Sequence, residues 1–210
     1  MERLQIPATK SNAIRLKDEL ALAKDGRQLL DQKKDILINH INLLAGKADQ
    51  ARRRLDEALL AAYEQLRLAL IESGRAQVEA AGLAVDAGLD VTIRERSLMG
   101  VVLPLVSINR PRFRPEYSLA DTTRQMDRVR QMILSATETI AELAEVEVGL
   151  KRLMEETKRT LKRINALSYI YIPVYEATLK SIEERLEEKE REALFQLKRV
   201  KGKAEKSMGM

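Results

Sequence analysis

One periodic pattern constrains this chain more than any other feature. From Leu16 to Ala69, a stripe recurs at alternating steps of four and three residues, and thirteen of its sixteen positions are apolar. A repeat sustained over several heptads without proline is typical of a coiled-coil seam. We therefore predict a long helix over about residues 10–75, with Gly74 and Gly82 marking the loss of the pattern. Three residues before the stripe are candidate N-caps: Thr9, Ser11 and Asn12.

A second stripe with the same step pattern begins at Met126 and resumes less regularly after Pro173, from Leu179 to Val200. Ser118 or Asp121 is the candidate cap of this second helix. The predicted seam positions before the proline are Met126, Val129, Ile133, Ala136, Ile140, Leu143, Glu147, Leu150, Met154, Thr157, Leu161, Ile164, Ser168 and Tyr171. Two comparable seams predict an all-α fold, in which the N- and C-terminal segments form a long antiparallel two-helix coiled coil.

Pro173 lies inside the longest periodic segment of the chain. Proline removes a backbone donor and clashes with the carbonyl four residues earlier, at a cost of about 3 kcal/mol in a helix interior. Ile172 before it is pushed toward extended geometry. We predict a break near Pro173, either a kink or a one-turn interruption, that changes the phase of the stripe.

The middle of the chain has a different composition. The runs Leu89–Arg96 and Val101–Ile108 are rich in β-branched residues and joined around "SLMG", which predicts a β-hairpin over about residues 89–108. Pro104 confines the second run to an edge strand. Gly88 and the loop "NRPRFRPEY" bound this region. Since an isolated hairpin is marginal in water, we expect it to pack on the helices or on a partner. The chain then divides into segments 1–75, 76–117 and 118–210.

Composition narrows the function classes. The net charge of +5 comes from 37 basic and 32 acidic residues that are interleaved along the chain, whereas a nucleic-acid binder concentrates its basic residues on one face. We therefore expect no nucleic-acid partner. The chain has no cysteine, which excludes disulfides and zinc–thiolate sites. No stretch approaches about 18 consecutive apolar residues, so we expect no direct membrane insertion.

No motif carries catalytic chemistry. The single histidine, His40, has no plausible base partner, and a surface or seam-flanking place suits it better than a metal or catalytic site. The acidic run "EERLEEKERE" is typical of a salt-bridged, solvated helix face. "RPRFRP" is interpreted as a stiff loop, with RNA contact as the alternative, and Arg52 to Arg54 as residues that flank the seam.

Two seam positions of the first helix are basic, Arg27 and Lys34. In an antiparallel pair they face the C-terminal third of the last helix. We predict that they pair with its acidic residues and so set the register. These residues are Glu183, Glu184, Glu187, Glu188 and Glu190.

Two blocks of sequence resemble the D subunit of the V/A-type ATPases and ATP synthases, the central rotor shaft. The first is "PATKSNAIRLKDELALAKDGRQLLDQKKDIL", with a Pro-x-Thr-Lys opening, a Leu-Lys pair and Gly-x-x-Leu-Leu-x-x-Lys-x-Asp. The second is "KRINAL…IP…EREALFQLKRVK", similar to the family's Arg-Ile-Asn-Ala-Leu, Ile-Pro and Glu-Arg-Glu…Phe-x-Leu-Lys-x-x-Lys pattern. The resemblance covers nearly the whole chain.

The resemblance implies a non-catalytic protein without a cofactor or metal. Its paired terminal helices enter the hexamer of catalytic A and non-catalytic B subunits, and the coiled coil binds the small F subunit. The hairpin side seats on the funnel-shaped C subunit atop the membrane rotor ring. The implied location is peripheral, on the cytoplasmic side of the membrane, within a membrane-bound complex. Which ion is coupled, and whether synthesis or hydrolysis dominates, stays open.

The resemblance also suggests partner-binding residues for the A–B hexamer or the F subunit, in three groups. The N-terminal group is Thr9, Lys10, Lys17, Gly26, Lys33, Lys34 and Asp35. The group around the proline is Arg163, Asn165 and Pro173. The C-terminal group is Glu190, Arg191, Phe195, Lys198 and Lys201. We expect the region of Asn165 and Pro173 near the lower rim of the hexamer or at the contact with the F subunit.

Two interpretations compete with the rotor shaft. A structural coiled-coil scaffold with another partner explains the periodicity but not the two matched blocks. A helical-hairpin RNA-binding arm requires a basic face and a steep salt dependence.

Overall fold

A computed structural model describes residues 4–85, 89–109 and 123–208, and the side chains of its last helix as far as residue 201. The elements in chain order are α1 (Lys10–Ser73), α2 (Arg75–Ala84), β1 (Asp90–Leu98), β2 (Val101–Asn109), α3 (Arg124–Ala166), a π turn (Leu167–Tyr171) and α4 (Ile172–Met208). Gly88, the loop "RPRFRPEY" and the candidate caps Ser118 and Asp121 lie outside the described residues.

The predicted fold class is confirmed: the chain is mostly helical, with long N- and C-terminal helices and a small middle that contains a two-stranded hairpin. The chain forms two compact units. Unit 1 contains residues 1–35 and 158–210, and unit 2 contains residues 36–157, so α1 contributes to both. In each unit α1 is antiparallel to the later helix. The ion pairs show this, since residues further along α1 pair with residues earlier on the other helix.

The predicted seam of α1 is confirmed. Of its sixteen positions, all except Arg27 are buried or half-buried. In unit 1, Leu16 packs with Ala13 and Ile182, and in unit 2, Leu37 and Leu44 pack with Val146 and Leu153. Burying a leucine or valine side chain contributes about 1.5–3 kcal/mol, so these apolar seams hold each helix pair together.

The predicted seam of α3 is correct only in part: Ile133 and Ile140 are each 46% exposed, and over the second part half of the predicted positions are exposed. Ile164 and Thr157 are buried and Leu150 is half-buried, but Glu147, Met154 and Leu161 are exposed. The buried positions in their place are one residue earlier: Val146, Leu153 and Thr160. Because apolar residues also occupy adjacent positions, such as Leu153 and Met154, two neighbouring helix faces could each serve as the seam. The apolar pattern alone does not distinguish them.

The hairpin packs on the helices of unit 2. Its register pairs Asp90 with Asn109 and Leu98 with Val101, and the turn is Met99–Gly100, with φ of 51° and 81°. Positive φ at both central residues is the geometry of a type I′ turn, whose twist matches the strands. Val101 and Leu103 of β2 are buried in the α1–α3 core.

Two side chains of α3 bind the free edge of β2. The carboxylate of Glu145 accepts the Val106 N–H at 2.8 Å, and Arg152 donates to the Val102 carbonyl at 2.8 Å. These two bonds occupy backbone groups of β2 that would otherwise be open to pairing with another strand. β1 is exposed along nearly its whole length.

Two glycines near the end of α1 have different roles. Gly74 ends α1 with φ of 80°, a conformation that favours glycine. Gly82, which with Gly74 was expected to mark the loss of the seam pattern, lies within α2, where an added Cβ would meet no atom within 4 Å. Since a single glycine costs a helix only about 1 kcal/mol, α2 continues through it.

Pro173 does not end the helix. The five residues before α4, Leu167–Tyr171, form a π turn, and the Ile172 N–H bonds the carbonyl of Leu167 five residues earlier. The wider turn separates the proline ring from the carbonyl it would otherwise meet. Ile172 has φ −58° and ψ −50°, so the expectation of extended geometry there was wrong. The helical neighbours on both sides outweigh the local preference of a residue before proline.

A short segment ahead of α1 lies against α4. The Leu4 N–H donates to Thr178 Oγ1 at 3.1 Å, and this buried hydroxyl donates to the Val174 carbonyl at 2.7 Å. Of the candidate caps, Thr9 is the N-cap: its Oγ1 accepts the Asn12 N–H at 3.3 Å. The chain therefore enters α1 through a turn fixed by side-chain hydrogen bonds.

Candidate functional site

Three ion pairs join α1 to α4 in unit 1 at a regular interval. Lys10, Lys17 and Lys24 each contact a glutamate, and the N–O distances are 2.6, 2.7 and 2.7 Å. Their partners are Glu190, Glu183 and Glu176. Both sets are spaced by seven residues, so each rung repeats one heptad further along. We call these three pairs the ion-pair ladder.

The outermost rung affects protonation. The hydrogen bond from Lys10, and then its positive charge, hold the pKa of Glu190 below its ordinary value of 4.5. The same contact holds the pKa of Lys10 above its ordinary value of 10.5. Glu190 therefore contributes stability above pH 4.5, and the contribution is lost as the pH falls through its folded-state pKa. Lys10 contributes below pH 10.5, and its contribution is lost as the pH rises through its folded-state pKa.

The predicted partners of the basic seam residues are wrong. Arg27 pairs with Asp31 at 3.7 Å, and Lys34 pairs with Asp31 and Asp35 at 3.1 and 3.3 Å, all on α1. These two aspartates raise the pKa of Lys34 through hydrogen bonds. Asp31 lies four residues from Arg27 and three from Lys34, spacings at which side chains on one helix meet, and Asp35 follows Lys34 directly. The lysines of the ladder instead engage Glu183 and Glu190 of α4.

The ladder stops at a defined place. A further step of seven leads from Lys24 to Asp31 and from Glu176 to Tyr169 in the π turn. Asp31 carries the opposite charge to the ladder lysines and bonds Lys34 on its own helix. The π turn therefore coincides, in sequence register, with the change from ion pairs between the two helices to ion pairs within α1.

The C-terminal group of suggested residues extends along an exposed part of α4. From Glu187 to Lys201, every described side chain is exposed, and Phe195 keeps 69% of its surface. The predicted seam positions Ala193, Leu197 and Val200 are all exposed, the last two by 66%, so no seam forms there among the described residues. Arg191 pairs with Glu187 at 3.6 Å. Lys198 is exposed, and Lys201 has an interaction of its own.

The group around the proline surrounds the π turn. Arg163 and Asn165 are exposed on the last turn of α3, and Pro173 is half-buried at the start of α4. Between them, Tyr169, Ile170 and Tyr171 are 78%, 58% and 50% exposed. The rings of Tyr171 and Tyr175 lie 6.4 Å apart in a tilted arrangement.

The remaining suggested residues are on α1 or next to it. Gly26 is half-buried, and an added Cβ there would meet no atom within 4 Å. Thr9 caps the helix, so the fold alone accounts for its side chain. Lys33 is half-buried and has an interaction within the chain. The structure thus brings Lys10 together with Glu190, and Lys34 with Asp35, and places the others separately along the helices.

Sequence reasoning missed Lys24 and Glu176 of the ladder and the exposed residues of the π turn. The ladder had a signal: lysines at 10, 17 and 24 and glutamates at 176, 183 and 190 repeat at the heptad interval in opposite chain directions. The π turn had none besides Pro173, because the pattern "LSYIY" suits a regular helix equally well.

In the part of the chain that the structure describes, no helix is long and apolar enough to cross a bilayer. The same residues contain no cluster of three or more acidic or histidine side chains arranged to hold a metal ion.

Comparisons with known proteins identify the same family that the two sequence blocks resemble. The family model for the D subunit of ATP synthase matches residues 12–202. The D subunit of the A-type ATP synthase of Thermococcus gammatolerans is 39% identical over 211 residues, which cover 99% of each chain. That of Pyrococcus furiosus is 36% identical over 203 residues, covering 95% of each, and that of Methanopyrus kandleri is 36% identical over 195 residues, covering 92% of this chain and 84% of its own. The chain belongs to the ATP synthase D-subunit family.

Proposed function

We propose that this chain is the central-stalk rotor subunit of a V/A-type rotary ATPase or ATP synthase. In this role it transmits torque between the catalytic A–B hexamer and the ion-translocating ring in the membrane. The observation that carries the proposal is the match to the D-subunit family over residues 12–202, on a chain whose long helices pair antiparallel.

The chain is proposed to be non-catalytic and to act by orientation. A two-helix rod presents a different face to each A–B pair of a pseudo-threefold ring, so each catalytic site meets different contacts as the rod turns. Differential contacts shift the populations of open and closed sites. Exposed ion pairs on such a surface are individually weak and screened by salt, which suits a surface that slides.

The proposed partners are the A and B subunits, the F subunit, and the funnel-shaped C subunit on the membrane ring. The complex would hold the chain peripherally, on the cytoplasmic side of the membrane. The suggested partner-binding residues keep this role as part of the proposal. The exposed stretch of α4 from Arg191 to Lys201 supports it most, because it offers Phe195, Leu197 and Val200 without any described helix opposite them.

Reconstitution tests the proposal. The purified chain is mixed with the A–B hexamer and the F subunit from the same organism, and the mixture is analysed by gel filtration and mass photometry. The proposal predicts a stable complex with one copy of the chain per hexamer and an altered rate of ATP hydrolysis. A chain that elutes apart from the hexamer at every salt concentration would reject the rotor assignment and favour the scaffold interpretation.

A further inference from the structure

The last turns of α3 carry a concentration of positive charge. Residues 157–175 contain four basic residues and no acidic one, although charges of both signs are interleaved along most of the chain. Lys158, Lys162 and Arg163 are exposed and form no ion pair with any described residue. In contrast, each lysine of the ion-pair ladder, although also exposed, forms an ion pair with a glutamate of α4. The three cations are therefore available to a partner.

The π turn that follows exposes apolar and aromatic surface. Tyr169 is 78% exposed and Ile170 is 58% exposed, beside the last turn of α3. Arg163 and Tyr169 are six residues apart, which corresponds to about 9 Å along a helix. A π turn inside a long α-helix is rare and is found frequently at functional sites. Tyr169 and Ile170 are thus exposed close in sequence to three cations that pair with no described residue.

This combination favours a protein partner. Tyrosine and arginine are among the residues most enriched at the energetic centres of protein interfaces, whereas three cations on two turns are few for a nucleic-acid footprint, which spreads over a whole face. Charge complementarity then specifies the partner: its surface must supply clustered carboxylates, because no described residue of the chain pairs with these cations. Apolar contact with Tyr169 and Ile170 would hold the partner segment on this surface.

We propose that Lys158, Lys162, Arg163, Tyr169 and Ile170 form a docking surface for an acidic, carboxylate-bearing segment of another protein in the complex. This rests on the proposed function and deepens it, since it gives the chemistry of one contact within the complex. The cations steer and orient the acidic segment, and the two apolar side chains are covered when it docks.

Photo-cross-linking in the assembled complex tests the contact. Benzoylphenylalanine replaces Tyr169, and in a control chain it replaces Tyr63, which is 64% exposed on α1. The complex is reconstituted with the A–B hexamer and the F subunit, irradiated and digested, and the linked peptides are identified by mass spectrometry. We expect the probe at position 169 to link to a peptide with clustered aspartates or glutamates, and the control probe not to link to that peptide.

A charge-neutralised variant tests the energetics. Lys158→Gln, Lys162→Gln and Arg163→Gln are combined, and the matched control combines Lys47→Gln, Arg53→Gln and Lys180→Gln, three exposed cations elsewhere. We expect the first variant to bind the hexamer with the F subunit about tenfold more weakly at low salt, with a shallower salt dependence. The control stays within about twofold. Tyr169→Ser with Ile170→Ser tests the apolar half, and its weaker binding should persist at high salt.

The outcomes separate this inference from the proposed function. If the wild-type chain assembles but the two triple variants bind equally, or the peptide linked at position 169 has no acidic cluster, the docking surface is wrong and the rotor assignment stands. If the wild-type chain binds RNA or anionic vesicles and the first variant does not, the protein partner is the wrong class. If the wild-type chain does not assemble, the proposed function fails and this inference fails with it.

Discussion

At the scale of single residues, Thr178 connects the segment ahead of α1 to α4. Its buried hydroxyl accepts the Leu4 N–H and donates to the Val174 carbonyl, so it joins residues 174 positions apart in the chain. Thr157 is a buried threonine that makes the same local bond but not the distant one: it donates to the carbonyl four residues earlier, Leu153, and no distant group among the described residues donates to it.

These two threonines make a matched pair for mutation. Thr178→Val removes the acceptor of the Leu4 N–H and should lower the free energy of unfolding by about 1 kcal/mol more than Thr157→Val does. Amide exchange at Leu4 should also accelerate in Thr178→Val alone. Thermal unfolding followed by circular dichroism, with amide exchange by mass spectrometry, checks this. Equal stability and equal exchange in both variants would show that the segment is not held by this bond.

Gly26 is one of two glycines inside α1 that the packing of the chain does not explain, and unlike Gly46 it lies in the block that resembles the D-subunit family. It lies inside the 64-residue helix α1, where glycine costs about 1 kcal/mol relative to alanine. An added Cβ would have open space, as it also would at Gly46. A site that a partner approaches closely would account for glycine at position 26.

Gly26→Ala should therefore stabilise the purified chain by about 0.5–1 kcal/mol and weaken its binding to the A–B hexamer with the F subunit. Gly46→Ala, the control, should give the same stabilisation. Denaturant unfolding and a binding titration measure the two effects separately. Unchanged binding by Gly26→Ala would assign this glycine no role at an interface.

At the scale of elements, the ion-pair ladder favours one register of α1 against α4. Sliding the helices by one heptad in one direction would place Asp31 opposite Glu176, two like charges. The opposite slide would place Lys24 opposite Tyr169 and lose a rung. Exposed pairs contribute only about 0.2–1 kcal/mol each, so the ladder selects a register that the apolar seam of Leu16 and Ile182 stabilises.

A charge swap tests the ladder. Lys17→Glu alone opposes Glu183 with a like charge and should lower the melting temperature by about 2–4 °C. The double variant Lys17→Glu with Glu183→Lys should recover most of that loss, since the pair is restored in reverse. Arg53→Glu, at an exposed cation of unit 2 outside the ladder, is the control. A double variant no more stable than Lys17→Glu would show that this rung does not stabilise the pair.

The elements also show what a sequence can and cannot specify. The α1 seam was predictable because Leu16, Leu37 and their neighbours hold one phase over many heptads, and buried apolar side chains decide the helix face. The phase of α3 was ambiguous because Leu153 and Met154 are adjacent and apolar, and only packing against α1 chooses between them. Lys34 was misassigned because aspartates on its own helix compete with any partner across the seam.

The π turn was beyond sequence reasoning for a related reason. Proline predicted an interruption of the helix at position 173, but the local rule for Ile172 pointed to extended backbone, which the structure does not have. Widening one helical turn by one residue keeps the long helices packed, which costs less free energy than ending the helix at the proline. The exposure of Tyr169 and Ile170 leaves no pattern of its own in the sequence.

At the scale of the whole molecule, family membership and the helix pairing support one account: a protein that works through its surfaces. The described residues expose three kinds of surface outside the seams. The first is the exposed apolar stripe of α4 after Glu190, the second is the basic and aromatic surface at the π turn, and the third is the open strand β1. We propose that each of these surfaces meets another protein of the complex, while the seams of each unit keep the helices together.

The measurement that tests the central claim most directly is observation of rotation. The chain has no cysteine, so Thr92→Cys on exposed β1 gives a single labelling site for a gold bead. The A–B hexamer is fixed to a surface, assembled with the labelled chain and the F subunit, and supplied with ATP. The account predicts continuous rotation of the bead in one direction that stops when ATP is removed. A bead that stays fixed while the same complexes hydrolyse ATP would contradict it.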